Sequence, residues 1–179
     1  MSVLSPGWLA KASLAIHITA EDHWRAYGAS PVKVFLFAQD GTPQLVQFAQ
    51  GGGPDAAVAA IGAHAERHSA VALVITAPAT TTETHLAPDV FARTSLADLP
   101  TPEDVADAAR SILTVTLWPE RDLATALHSD IQATGTGAFE LAPILESAPT
   151  DPSHAGGLIA TLTGLLPRPG RDVQEGRAR

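Results

Sequence analysis

Val32-Lys33-Val34-Phe35-Leu36-Phe37-Ala38-Gln39-Asp40-Gly41-Thr42-Pro43-Gln44-Leu45-Val46 is the stretch whose reading decides the fold. Its first half, Val32 to Ala38, is dense in β-branched and aromatic residues, which suit a pleated, half-buried surface. Pro43 to Gln50 then alternates in part, with Leu45 and Gln47 set against Val46 and Phe48. Asp40-Gly41 lies between the two runs, and glycine enters the positive-φ region of a tight turn without steric cost. These features predict a β-hairpin.

Downstream of it, Gly51-Gly52-Gly53 is a flexible joint and Pro54-Asp55 opens a helix that runs to His68, with Val58, Ile61 and Ala65 on its inner stripe. Ala70 to Ala77 reads as a strand apolar on both faces. Upstream, Ser5-Pro6 is a helix start, a serine cap followed by proline at the first helical position. Trp8, Ala12, Ile16, His23 and Tyr27 fall on one side of a helix that stops at Gly28. Leu14, Ile16 and Ile18 also alternate as a strand would, with a fresh helix capped at Thr19. A single helix is the preferred reading, with Thr19 as its weak point.

Further along, residues 78–101 read as a polar, proline-containing connection. Thr101-Pro102-Glu103-Asp104 starts another helix, expected to carry Val105, Ala109 and Ile112. Leu113 to Trp118 reads as a strand and Pro119 to Asp122 as a turn. Leu123, Leu127 and Ile131 have helical spacing, but a hairpin partner for the preceding strand is preferred for 123–131. Thr134 to Gly137 is a loop and Ala138 to Leu141 a short strand. Asp151-Pro152 begins a final helix with Leu158, Ile159, Leu162 and Leu165 on one stripe, ended by Pro167 and Pro169. Hairpins outnumber strand–helix–strand crossovers. The expected class is therefore α+β, a mostly antiparallel sheet built from hairpins, with helices packed largely on one face. Residues 1–166 are expected to form one domain, and 167–179 a disordered basic tail.

Composition narrows the function classes. The 179 residues are 45% hydrophobic, enough for a core, and include no cysteine. Disulfides, thiol nucleophiles and thiolate metal sites are thereby excluded. The longest strongly apolar run, Ala70 to Ala77, is far short of the roughly 20 residues of a membrane span, and no secretion signal is legible. A cytoplasmic location is the expectation. The net charge is −8, yet the segment from Pro167 onward carries +2. Removing that +2 leaves −10 on residues 1–166, a body that repels phosphate backbones and argues against nucleic acid as a partner. Abundant alanine, two lysines and no asparagine point to a GC-rich genome.

Chemistry-bearing groups are sparse. His64 and His68, four apart on a helix, share a face and could hold a metal with a third ligand such as Glu83 or His85. The intervening Ala65-Glu66-Arg67 departs from the zincin pattern, in which glutamate follows the first histidine directly. Glu83 and His85, in the polar run Thr80 to His85 just past the most buried predicted strand, are the candidate catalytic base and acid. The ordinary alternative is a strand end whose threonines suit β structure. Gly51 to Asp55 lacks the lysine and hydroxyl of a phosphate loop, and Asp55 would repel an anion. His128 and Asp130 would share one face of a strand with Ser129 on the other, but no nucleophile elbow occurs in the chain. Thr134 to Gly137 lacks the third glycine of a dinucleotide fingerprint. Trp8, Trp24 and Trp118 could anchor a partner surface, with core packing as the ordinary explanation for each. No cofactor is expected.

Val34-Phe35-Leu36-Phe37, Asp40-Gly41, the alanine-rich Asp55 to Glu66 and Val71-Ala72-Leu73-Val74-Ile75 together resemble small α+β proteins of high-GC actinobacteria and their phages, over about a quarter of the chain. Those proteins lack a known function, so the resemblance implies a fold and no catalytic residue. The expected function is a non-enzymatic protein-interaction or assembly domain, pairing with a partner or with itself, as in a homo-oligomer or a phage-type particle. The alternative is a small-molecule binder or hydrolase-type enzyme with its site at the 80–102 loop.

Overall fold

A computed structural model describes residues 4–46, 54–81, 109–146 and 162–166. Seven strands form one antiparallel sheet in the order β2-β1-β3-β4-β5-β6, with β7 also on β5. The elements are α1 (Pro6–Tyr27), β1 (Lys33–Ala38), β2 (Pro43–Val46), α2 (Pro54–Arg67), β3 (Ala70–Thr81), β4 (Ala109–Trp118), β5 (Leu123–Ala133), β6 (Phe139–Leu141) and β7 (Leu145–Glu146). The α+β class and the antiparallel sheet are as expected.

Local chemistry accounts for most of the boundaries. The Ser5 side chain accepts from the Trp8 amide, and α1 runs unbroken through Thr19 to Gly28. Gly28 has φ 69° and returns its amide to the Trp24 carbonyl, which closes the helix. The β1–β2 hairpin turns on Gly41 at φ 83°, and the Asp40 carboxylate accepts from the Thr42 amide. That bond holds the Asp40 carboxyl below its usual range. Leu123 to Ala133 is a strand, entered through a short 3₁₀ turn at Pro119–Arg121.

Two expectations give way. Ala109 and Ile112, read as helical, lie in β4, where Ala109 pairs with Thr81 and Ile112 with Pro78. The same ladder carries β3 through Pro78 to Thr81, residues assigned to a connection. Nine consecutive residue pairs between β3 and β4 outweigh the weak local preference of an alanine-containing segment. The helices, expected largely on one face, divide between the two. Strand alternation sends Val34, Leu36, Leu73, Val115 and Leu117 to one side, against Ile61 and Ala65 of α2 and Leu162 and Leu166. Phe35, Phe37, Ala72, Val74 and Trp118 face the other side, against Leu4, Leu9 and Ile16 of the N-terminal region. A sheet with two apolar faces leaves one of them wet unless helices cover both.

The expected helix from Thr101 and the start of the final helix lie outside the described residues, as does the basic tail. Residues 162–165 are helical. No helix among the described residues is long and apolar enough to cross a membrane.

Candidate functional site

The α1 helix lies across β4 and β3 and meets them with a stripe that sequence reasoning placed elsewhere. Its buried residues are Leu9, Ser13, His17, Ala20 and Glu21, while Trp8 and Tyr27 are exposed. Ser13, His17 and Glu21 are spaced by four, so they stack along one line of the helix. Beneath them β4 presents Thr116 and Thr114, and β5 presents Ser129.

These side chains form a buried line of hydrogen bonds in two pieces, the pair Ser13–Thr116 and a run from Thr114 through His17, Ser129 and Glu21 to Arg25. Ser13 pairs with Thr116. His17 Nδ1 lies 2.9 Å from Thr114 Oγ1, and Nε2 lies 3.0 Å from Ser129 Oγ. Ser129 donates to Glu21 Oε1 at 2.6 Å, and Arg25 holds the other oxygen, Oε2, at 3.0 Å. The direction of the Ser129 bond sets the rest. A hydroxyl has one proton, so His17 Nε2–H donates to Ser129 Oγ, and Nδ1 of the neutral ring accepts from Thr114. His17 is fully buried, and burial pushes its pKa below the ordinary histidine value; Glu21 opposes that shift and His128 adds to it.

Serine, histidine and glutamate in contact invite a hydrolytic reading, but the order is wrong for it. In a catalytic triad the histidine sits between the other two and takes the serine proton. Here serine sits between, with its proton already given to the glutamate. Ser129 and His17 have no exposed surface and Glu21 is 5% exposed, so none of the three faces solvent. The chain is a structural polar spine that docks α1 in one register, because every slip along the helix would bury donors without acceptors.

Beside the spine, where α1 stops short of covering β5 and β7, a cleft of about 450 Å³ opens. Leu14 and Leu127 give it an apolar body, and Ser13 and Thr116 belong to its lining, so the cleft ends against the first link of the spine. Lys11 on the helix and Glu146 on β7 line it as well.

The residues singled out from sequence fare differently. Glu83 and His85 lie outside the described residues, as does the Gly51–Gly53 joint. His64 and His68 do share a face, with their rings parallel within 12° and 6.0 Å apart. Among the described residues no group of three histidine, aspartate or glutamate side chains is placed to hold a metal. His128 and Asp130 are half-buried on the α2 side, and Ser129 points the opposite way, into the spine. The signal for the spine was the spacing of Ser13, His17 and Glu21, together with the alternation of Thr114 and Thr116. Each was masked by a neighbouring apolar pattern, Ala12 and Ile16 on one flank of the helix and Leu14 and Ile18 on the other.

No protein-family model, curated protein or solved structure matches the chain.

Proposed function

We propose that this chain is a non-catalytic binding domain whose cleft between α1 and β5–β7 holds a small, largely apolar molecule. The observation that carries the reading is the cleft itself: about 450 Å³, apolar in the main, with hydroxyl groups in its lining. Ligand sites commonly fall in the range of roughly 300–1,000 Å³ and combine an apolar wall with a few polar groups that set orientation. The sealed spine beside it supports binding without chemistry. Cytoplasmic residence belongs to the same proposal, resting on the cysteine-free composition.

The uncharged fluorophore N-phenylnaphthylamine tests it. Its emission should rise saturably with the wild-type protein and fail to rise with Ala10→Trp, which fills the cleft from an exposed position on α1. Equal signals from the two proteins, with equal melting temperatures, would end the proposal.

A second reading, a protein-interaction or self-association domain, has its own support. The β6–β7 side of the sheet carries Phe139 at 55% exposure and Leu145 at 52%. Apolar residues on an open sheet edge suit strand addition by a partner or a second copy. Light scattering on wild type and Phe139→Glu distinguishes the cases: a larger species lost in the variant favours this reading, and a monomer throughout removes self-association through that edge.

A further inference from the structure

The two walls of the cleft carry opposite charges. Lys11 projects from the first half of α1 and Glu146 from β7, and both line the same space. Neither takes part in an ion pair among the described residues, where the pairs are His17–Glu21, Arg25–Glu21 and Arg25–Asp22. The helix end beside Lys11 strengthens the asymmetry. The first turn of α1 contains no acidic side chain, and its dipole places partial positive charge there. Gly7, in that turn, also lines the cleft and has open space where a side chain would stand.

A purely anionic amphiphile would meet Glu146 and a purely cationic one would meet Lys11. A neutral molecule would leave both charges unused. We propose, resting on the cleft reading above, that the preferred ligand is a small zwitterion with an apolar body. Its carboxylate lies against Lys11 and the first turn of α1, its ammonium against Glu146, and its side chain against Leu14 and Leu127. A free amino acid with an aromatic or aliphatic side chain is the simplest member of the class. The hydroxyl pair Ser13–Thr116 offers further hydrogen bonds without adding charge.

Titration followed by amide chemical shifts, using three related compounds, tests the assignment. L-Phenylalanine has both charges, N-acetyl-L-phenylalanine lacks the ammonium, and L-phenylalaninamide lacks the carboxylate. L-Phenylalanine should shift the amides of α1 and β5 that border the cleft, and each trimmed compound should bind about fivefold more weakly, the upper end for one partly exposed charge pair. Lys11→Glu should lower affinity for L-phenylalanine and N-acetyl-L-phenylalanine and spare the amide. Glu146→Gln should lower affinity for L-phenylalanine and the amide and spare the acetyl compound. Both positions are exposed, so neither variant endangers the fold. Three compounds that bind alike, or none binding while N-phenylnaphthylamine still does, would overturn the zwitterion assignment and leave the cleft reading standing. Failure of the fluorophore as well would remove both.

Discussion

The two faces of the sheet are built on different principles. On the α2 side, Val34, Leu36, Leu73, Val115 and Leu117 meet Ile61, Ala65, Leu162 and Leu166, an aliphatic contact with no preferred hydrogen-bond register. On the α1 side an apolar end, Leu9 with Phe37 and Trp118, continues into the polar spine of Ser13, His17 and Glu21 on Thr116, Thr114 and Ser129. Hydrophobic burial is non-directional and tolerates small shifts. A buried hydrogen-bond chain does not, since each misplaced link leaves a dry polar group costing roughly 1–3 kcal/mol. The aliphatic face supplies stability, and the polar face supplies position. A cleft beside the polar face therefore has walls held in fixed register, as a binding site requires.

The sharpest way to break this comparison is to cut each face and compare the consequences. Leu73→Ala, at a position with no exposed surface, should cost about 3 kcal/mol in urea unfolding, the cost of a cavity in a tight aliphatic layer. The loss should be the same at pH 7.5 and pH 5.5, because the core cluster that holds Leu73 is made of aliphatic side chains. Ser129→Ala should cost about 2 kcal/mol by the same measurement, because it strips Glu21 Oε1 of its donor and His17 Nε2 of its acceptor inside a buried layer. A loss under about 0.5 kcal/mol would show that the spine contributes little to docking α1.

The smallest effect is the most diagnostic. His17 has a depressed pKa, so the folded protein binds fewer protons than the unfolded chain once the pH falls below the ordinary histidine value of about 6.5. Stability from His17 is therefore complete above that value and declines as the pH drops from about 6.5 towards the folded pKa. Urea unfolding across pH 7.5 to 5 should show this decline in the wild type. His17→Leu should be less stable at pH 7.5 and should show a shallower decline. Identical slopes in the two proteins would mean that His17 is not held neutral by its burial.

How much of this was legible depends on the kind of signal. The β1–β2 hairpin and the caps of α1 were readable, because turn and capping chemistry are local; residues 123–131 fitted helix and strand spacing alike, and only pairing with β4 makes them a strand. The start of β4 was misread. Ala109 and Ile112 resemble a helix until nine partners on β3 are in place, and those pairs span from 28 residues, Thr81 with Ala109, to 44, Leu73 with Leu117. The site was the least legible part. Ser13, His17 and Glu21 look like the solvated side of a helix, since polarity and exposure usually go together. Only their pairing with Thr116, Thr114 and Ser129 makes burial affordable.

By itself the residue order determined the β1–β2 hairpin with its turn and the ends of α1, since each depends on groups a few positions apart: Ser5 with Trp8, Gly28 with Trp24, Asp40 with Thr42. The tertiary structure alone decided which side each helix covers, that a serine at 129 shares its proton with a glutamate more than a hundred residues before it, and that a cleft remains where α1 ends its cover of β5. The reason is physical. Backbone conformation follows from short-range sterics and local hydrogen bonds, whereas the energy of a buried polar contact exists only once both partners have been brought out of water together.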